Sequence, residues 1–287
     1  MSGRDWFQPH PDASFAFWDA KRTVFCPHTP RQNRLLAALP LEDYERLLPD
    51  LEPVSLPVGW AIRRPGERDK HLYFPTAGIV SRFHVLQNGE SARLAVTGSE
   101  GAIGIASFLS GESTPDQAVV ISAGYAYRLG MDVLRREIAH SGPLLHSLLR
   151  YALALIAQTA QIAVCNRHHT LHQQLCRWLL LSLDRSPGKE VSMTQGLIAS
   201  LLGVRRESVT EAAGNLQKAG LIHYTRGHIT VLDRPRLEAE ACECYAVVKR
   251  EYDRLFPAKA PCRTPEPRAG VASTAAARKH TAYLEMA

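Results

Sequence analysis

The residues best suited to specific chemistry lie in one short segment, RRESVTE, from Arg205 to Glu211. Side chains three and four positions apart share one face of a helix. In a major groove, arginine can donate to guanine and glutamate can accept from cytosine. The spacing therefore predicts a helix whose outward face binds DNA. The predicted base-contacting residues are Arg206, Glu207, Thr210 and Glu211.

Neighbouring polar side chains are better placed to bind phosphates, which fix the position of a protein on the duplex without reading its sequence. The acids Glu207 and Glu211 would weaken binding to a polyanion unless each reads a base or holds an arginine, so their presence favours specific recognition. The alternative is a solvated, charged helix face. The predicted phosphate-contacting residues are Thr194, Gln195, Arg205, Ser208, Arg226 and His228.

The predicted DNA-contacting helix requires a scaffold, and residues 195–216 are predicted to form two helices around a tight turn. Gly203 stands where such a turn needs positive φ, and Val204 fills the turn. After a glycine C-cap at Gly220, the alternating runs Leu221–Tyr224 and His228–Leu232 predict a β-hairpin wing. The predicted buried residues of the two helices are Ile198, Ala199, Leu202, Val209, Ala212, Ala213 and Leu216.

From Val54 to Arg128 the chain consists of short β-rich runs separated by turn residues. Asn88-Gly89 between two alternating runs is a strong hairpin signal, because both residues tolerate positive φ. We predict seven or eight short strands in a jelly roll or sandwich. Six such runs are Val58–Ile62, Leu72–Phe74, Ile79–Val85, Ala92–Val96, Ala118–Ser122 and Tyr125–Arg128.

A long helix is predicted from Pro143 to Cys165, about 34 Å in length. Its apolar residues recur at alternating spacings of four and three, which is typical of a helix that pairs with a copy of itself. The predicted dimer interface is Leu144, Leu148, Tyr151, Leu155, Gln158 and Ile162. A second apolar face exists, so one face can pack on the β domain while the other dimerises. It consists of Leu149, Leu153, Ile156, Ala160 and Ala163.

Composition excludes several classes of protein. The 287 residues are 45% hydrophobic and 22% charged, with a net charge of +6, which argues against disorder and permits a polyanionic partner. The apolar stretch from Leu144 to Val164 is broken by polar residues, and the N-terminus lacks the order of a secretory signal. We therefore expect a cytoplasmic protein without a membrane partner. Nucleophile-elbow, phosphate-loop and metalloprotease motifs are missing from the sequence, so we expect no enzyme.

The six cysteines include no CxxC pair, and we predict no metal and no cofactor. Cys242-Glu-Cys244 is the one close pair, and its plainer interpretation is two small residues near the last helix. His168-His169-x-x-His172 is the one dense histidine cluster, and its plainer interpretation is the lining of a hinge. Metal binding or redox sensing remains the alternative for both groups.

The order helix, β-roll, long helix, winged helix resembles the Crp/Fnr superfamily of bacterial transcription regulators over residues 31–250. The most specific match is Gly203-x-x-Arg206-Glu207-Ser208-Val209, at the start of the recognition helix. Looser matches are Pro65-Gly66-Glu67, Leu72-Tyr73-Phe74 and Gly78-Ile79-Val80. The resemblance implies a homodimer that binds a palindromic site in double-stranded DNA, with RNA polymerase as a further candidate partner. The family often has arginine where Glu211 stands, so its usual target sequence is not carried over.

The ligand site departs from the cyclic-nucleotide-binding members of that family. Those members carry a glutamate for the ribose and an arginine for the phosphate, and the matching positions here are Ala102 and Asp116. An aspartate repels a phosphate, so we predict a degenerate pocket without tight cyclic-nucleotide binding. The iron–sulfur branch needs a cysteine cluster in the N-terminal arm, which here has Cys26 alone. The degenerate pocket comprises Gly101, Ala102, Ile103, Gly104, Asp116 and Gln117.

The sequence therefore predicts an α+β protein that regulates transcription as a sequence-specific, DNA-binding homodimer and does not respond to cAMP; its effector is not identified. A scaffold or ligand-sensing protein that kept this fold without binding DNA is the alternative. The predicted domains are an irregular arm (1–30), a jelly-roll-like β-roll (31–142), a dimerisation helix and hinge (143–167), a winged helix-turn-helix domain (168–256) and a disordered tail (257–287).

Overall fold

The computed structural model describes residues 29–87, 91–140, 142–186, 190–225 and 227–256. Three predictions lie outside this part of the chain: almost all of the arm at residues 1–30, the turn at Asn88-Gly89 and the tail at residues 257–287. Arg226, predicted to contact phosphate, also lies outside it.

Two short helices, α1 (Arg34–Ala38) and α2 (Leu41–Leu47), precede the β domain. The Asn33 side chain caps α1 by accepting from the backbone N–H groups of Leu35 and Leu36. Its Nδ2 donates to the carbonyls of Pro75 and Gly101 at 2.9 and 2.8 Å. Because Asn33 is fully buried, this network fixes the first helix onto the β domain.

The β domain is an antiparallel roll in the order β1-β5-β3-β4, with β2 paired to β5. The predicted count of seven or eight strands is wrong, since the described part of the roll has five. Leu72–Phe74 and Ile79–Val85 are two ends of one strand, bent where Gly78 takes φ +87°. The strands are β1 (Glu52–Leu56), β2 (Ala61–Arg63), β3 (His71–Val85), β4 (Ser91–Thr97) and β5 (Gln117–Gly130).

Three further helices are described in this half of the chain: α3 (Ile105–Ser110), α4 (Met131–His140) and α5 (Gly142–His168). The long helix is confirmed, although it extends beyond both predicted ends. One face of α5 packs on the β-roll. Gln158 Oε1 accepts from the backbone N–H of Val96 at 2.8 Å, and the Tyr151 hydroxyl lies 2.8 Å from Thr97 Oγ1.

This packing overturns the predicted dimer interface. All six residues assigned to it are buried inside the chain's own core and cannot meet a second copy. The helix exposes the other apolar face instead, where Leu149, Leu153 and Ile156 are 45, 47 and 66% accessible. The six misassigned residues are Leu144, Leu148, Tyr151, Leu155, Gln158 and Ile162.

Helix α5 is also, among the described helices, the one long and apolar enough to cross a membrane. A core helix of a soluble domain meets the same criterion. In α5 the buried face carries Gln158 hydrogen-bonded to a strand and Tyr151 hydrogen-bonded to Thr97, so this face is engaged by protein rather than available to lipid.

The remaining elements form a winged helix-turn-helix domain followed by two helices. Strand β6, which pairs with β8 to extend the wing to three strands, had no sequence signal. Helix α10 returns to α5, where Gln158 Nε2 lies 3.4 Å from the Tyr252 hydroxyl. The elements are α6 (Leu171–Leu183), β6 (Glu190–Ser192), α7 (Gln195–Leu202), α8 (Arg206–Lys218), β7 (Ile222–Thr225), β8 (His228–Val231), α9 (Arg234–Glu240) and α10 (Cys244–Leu255).

Candidate nucleic-acid interface

The turn between α7 and α8 has the geometry predicted from the sequence. Gly203 ends α7 in the left-handed region at φ +69°. The next residue, Val204, donates its N–H to the Ala199 carbonyl at 3.0 Å. A residue with a Cβ would be strained at this φ, so Gly203 sets the angle at which α8 leaves the turn.

The apolar side of both helices is satisfied within the domain. Every residue predicted to be buried in this pair of helices is at most 7% accessible, which confirms the predicted core. The opposite side of α8 is therefore free of any packing role. The confirmed residues are Ile198, Ala199, Leu202, Val209, Ala212, Ala213 and Leu216.

The free side of α8 carries the predicted base-contacting residues, all of them exposed: Arg206, Glu207, Thr210 and Glu211. The Thr210 hydroxyl lies 2.8 Å from Gln195 Oε1, which orients both side chains at the junction of α7 and α8. Arg205 precedes the helix without capping it through its side chain. The first backbone N–H groups of α8 therefore remain available to an anion, which a helix N-terminus favours.

The predicted phosphate-contacting residues surround this helix start on several elements. The Thr194 hydroxyl caps α7 by accepting from Leu197 N at 3.2 Å. Ser208 is half-buried in the first turn of α8, while Arg205 is exposed. His228, exposed on the wing, has its Nδ1 3.1 Å from Ser192 Oγ.

The two acids on this face have no counter-charge in the described part of the chain, where neither Glu207 nor Glu211 forms an ion pair. Since like charges repel, each carboxylate beside a phosphate backbone would cost binding energy unless a base donor met it. This arrangement suits selective rather than general binding.

The turn predicted to line the ligand pocket is itself buried in the protein. Gly101, Ala102, Ile103 and Gly104 are all buried. Ile103 exchanges two backbone hydrogen bonds with Tyr73, each 2.9 Å. A Cβ on Gly101 would overlap the ring of Tyr151 on α5, so this turn packs directly against the long helix.

Asp116, at the position where the cyclic-nucleotide-binding members carry arginine, is the centre of a buried ion-pair network. Its Oδ2 lies 2.5 Å from Arg63 Nη2 and 2.7 Å from Arg82 Nε. A second acid, Asp69, lies 2.9 Å from Arg63 Nη1 and accepts from Ser107 Oγ of α3. Burial acts to raise the pKa of Asp116, but Arg82 and Arg63 outweigh it and hold that pKa below the ordinary value. Gln117 beside it is partly buried.

Sequence reasoning found Asp116 but missed its partners. Arg63 ends strand β2 and is 2% accessible. A buried carboxylate requires a cation. An aspartate at position 116 of the β-roll therefore indicates that an arginine lies close to it in the fold. The two positions lie 53 residues apart, and their proximity depends on the pairing of β2 with β5.

A second buried ion pair joins the β-roll to the DNA-binding domain. Arg185, just after α6, places its Nε 2.7 Å from Glu100 Oε1 and donates through Nη1 to the Leu181 carbonyl. Glu100 immediately precedes the buried turn at Gly101. The turn that holds ligand in related domains is therefore connected to both α5 and α6.

Two domain models match the chain. A cyclic nucleotide-binding domain matches residues 53–141, and a Crp-like helix-turn-helix domain matches residues 173–240. Together they cover more than half of the sequence.

Curated relatives are similar across both domains. A global nitrogen regulator of Synechococcus elongatus is 23% identical over 185 residues, which are 61% of this chain and 83% of the relative. A CRP-like cAMP-activated global transcriptional regulator of Mycobacterium tuberculosis is 24% identical over 202 residues, 68% of this chain and 90% of the relative.

Solved structures show the same fold. FixK2 from Bradyrhizobium japonicum superposes with a TM-score of 0.58 at 18% identity, covering 67% of this chain and 98% of that one. A putative Crp/Fnr-family regulator from Eubacterium rectale gives 0.56 at 18% identity, covering 71 and 96%.

Fold and interface define the class as a winged-helix protein with a β-roll and a long connecting helix. With both domain models matched in this order, the chain belongs to the Crp/Fnr family of transcription regulators.

Proposed function

We propose that this regulator binds DNA sequence-specifically as a homodimer, with α8 in the major groove of each half of a palindromic site. The observation that carries the proposal is the exposure of Arg206, Glu207, Thr210 and Glu211 on a helix whose apolar side is buried within its own domain. A helix with its N-terminal turn in the groove presents such side chains to base edges.

The exposed face of α5 supports dimerisation. Leu149, Leu153, Ile156, Ala160 and Ala163 recur at spacings of four and three, which is the repeat of a two-stranded coiled coil. Two such helices side by side would cover the exposed leucine and isoleucine side chains and fix the separation of the two recognition helices. Activation of transcription would add RNA polymerase as a partner.

The ion pairs of Asp116 support a regulator that does not respond to cAMP. A cyclic phosphate would have to displace the Arg63 and Arg82 contacts of a carboxylate that repels it. Ala102 offers no acceptor for a ribose hydroxyl. Because the matched family consists of transcription regulators, we propose a binding rather than a catalytic function, exercised in the cytoplasm.

Selection of bound fragments from the source genome tests this function. The purified full chain is incubated with sheared genomic DNA, bound fragments are sequenced, and the recovered motif is measured by fluorescence anisotropy against a scrambled duplex at several salt concentrations. We expect an inverted repeat with half-sites about 34 Å apart. Equal affinity for both duplexes would instead favour a scaffold that kept the fold.

A further inference from the structure

The hinge between the long helix and the DNA-binding domain brings together four side chains that the sequence leaves far apart. Cys165 lies near the end of α5, His169 follows that helix, and Cys242 and Cys244 lie at the start of α10. Their donor atoms all lie within 4.8 Å of one another. The three cysteines are at most 3% accessible, so all three sulfurs are closed to solvent.

The distances match those between the ligands of a single tetrahedral ion. Zinc–sulfur bonds of about 2.3 Å place two sulfurs about 3.8 Å apart, and a nitrogen ligand about 3.6 Å from each sulfur. Here Cys165 Sγ lies 3.6 Å from Cys242 Sγ, and Cys244 Sγ lies 3.4 Å from His169 Nδ1. The separations are too long for a disulfide, whose sulfurs are about 2.05 Å apart.

Two residues that would not bind the ion themselves contact the histidine and one cysteine, and such contacts orient the ligands of a metal site. With Nδ1 of His169 directed at the cysteines, its Nε2 lies 3.3 Å from the Glu243 carboxylate. A carboxylate on the far nitrogen fixes the tautomer of a metal-binding histidine. Gln161 Nε2 donates to Cys244 Sγ at 3.0 Å, which fixes the position of that sulfur.

A buried, unpaired cation beside the cluster indicates the charge of the group it faces. Arg177 is fully buried, and none of its three guanidinium nitrogens has a hydrogen-bond partner in the described part of the chain. Arg177 is an electrostatic neighbour of both Cys165 and Cys242. Three thiolates, a neutral imidazole and a divalent ion carry a net charge of minus one, which Arg177 would balance.

We propose that Cys165, His169, Cys242 and Cys244 bind one thiophilic divalent metal ion, for which Zn²⁺ is the best match. A closed site of three cysteines and one histidine is a structural zinc site. The ion would connect the end of α5 to the start of α10. Since the helix-turn-helix domain lies between His169 and Cys242 in the chain, the ion would hold both ends of that domain at one point.

Metal content of the full chain, purified without chelator under reducing conditions, is the first test. We expect about one zinc ion per chain by mass spectrometry of the metals. Cys242→Ser loses it, whereas Cys176→Ala retains it, because burial raises the pKa of Cys176 to about 12 and this thiol is outside the four ligands. A metal-free wild-type chain, a Cys165–Cys242 disulfide, or a full zinc complement in Cys242→Ser would overturn the proposal.

Cobalt substitution provides a readout that does not depend on a mutant folding. Apo protein titrated with Co²⁺ should develop thiolate-to-metal charge-transfer bands and the visible bands of tetrahedral cobalt, and Zn²⁺ should remove them. Octahedral cobalt without thiolate bands would overturn the site. Both measurements omit DNA, so their failure is distinguishable from failure of the proposed function.

Two exposed glutamates give a matched pair of variants. Glu243 is 72% accessible and contacts His169, while Glu240 is 48% accessible and lies 3.0 Å from His172 instead. Glu243→Gln should weaken zinc affinity about tenfold in competition with a chelating dye, and Glu240→Gln should leave it unchanged. Equal zinc affinities in the two variants would contradict the contact between Glu243 and His169, and with it the role of His169 as a metal ligand.

Discussion

The carboxylate of Asp116 lies 2.5 Å from the guanidinium of Arg63, with both side chains almost fully buried in the β-roll. In related domains this region binds a cyclic phosphate, and here a protein carboxylate and two arginines replace ligand and counter-ion. With Asp69 as the second acid, two carboxylates meet two guanidinium groups, so the charges of this cluster balance without a bound molecule.

Removing that carboxylate should destabilise the fold strongly. Asp116→Asn leaves Arg63 and Arg82 without their shared acid, and breaking a buried pair on one side costs about 3 kcal/mol. Urea denaturation at pH 7 measures the loss. Glu112→Gln is the control, because its ion pair with Arg68 is more than 60% exposed on both sides and should contribute nothing measurable. Equal midpoints for the two variants would refute the role assigned to Asp116.

The same pair predicts a pH dependence. Since the folded pKa of Asp116 is below the ordinary value, its stabilisation is complete above the unfolded pKa, about 3.9, and is lost as the pH falls through the folded pKa. The difference in free energy of unfolding between wild type and Asp116→Asn should be constant near neutrality and shrink below about pH 4.

Cyclic AMP should leave the thermal midpoint unchanged. A ligand at one hundred times its dissociation constant stabilises a protein by about 2.7 kcal/mol, an effect that scanning fluorimetry detects easily. The Mycobacterium tuberculosis relative, whose name describes it as cAMP-activated, is the positive control. An upward shift for the present chain at millimolar cAMP would show that the Asp116 network opens for a phosphate.

Arg206 and Arg205 should affect DNA binding differently. Arg206→Ala removes a base contact and should weaken binding to the selected site at least about tenfold, with little effect on random DNA. Arg205→Ala should weaken both and reduce the salt slope by about one. Arg135→Ala, an exposed arginine of α4, should change neither. If Arg206→Ala weakened binding to the selected site and to random DNA equally, Arg206 would instead be a phosphate-contacting residue.

A charge on the exposed face of α5 should separate the dimer. Ile156→Arg buries an unpaired cation against its partner helix, a cost of about 3 kcal/mol or roughly one hundredfold in dissociation constant. Val58→Arg, at an equally exposed apolar residue in the turn between β1 and β2, is the control. Analytical ultracentrifugation should show monomers for Ile156→Arg alone. A dimer that survives this change uses another surface.

Gly101 is predicted to tolerate no side chain. Alanine there would overlap Tyr151, which is fully buried and held by Thr97, and overpacking of this kind costs about 3 kcal/mol. Gly214→Ala is the matched control, since its added Cβ meets nothing within 4 Å and alanine favours a helix interior by up to about 1 kcal/mol. Unfolding midpoints should move in opposite directions.

Local signals in the sequence were sufficient for the helix-turn-helix, because the constraints at Ala199, Gly203 and Val209 act within a few residues of one another. For the long helix, local signals predict the helix but not which of its faces is buried. Both of its faces carry apolar residues at spacings of four and three, and only the folded chain shows which one the β-roll covers. Gln158, which the sequence placed in the dimer interface, bonds to strand β4 instead.

Two other features depended on contacts distant in sequence. Gly78 lies between two runs that were predicted as separate strands, yet β3 runs through it because its ladder with β5 continues on both sides. The hinge cysteines gave no motif, since Cys165 and Cys242 are 77 residues apart. Their grouping depends on the return of α10 to α5.

That return determines how the DNA-binding domain can move. The chain leaves α5 at His169 and comes back beside it at Cys242. Both ends of the intervening segment, about seventy residues long, therefore lie next to each other near the end of α5. If order were lost at these two points and the Arg185–Glu100 ion pair were broken, the domain would rotate as a single body rather than unfold from one end. In a symmetric pair both domains would turn in the same sense, and operator spacing would become adjustable.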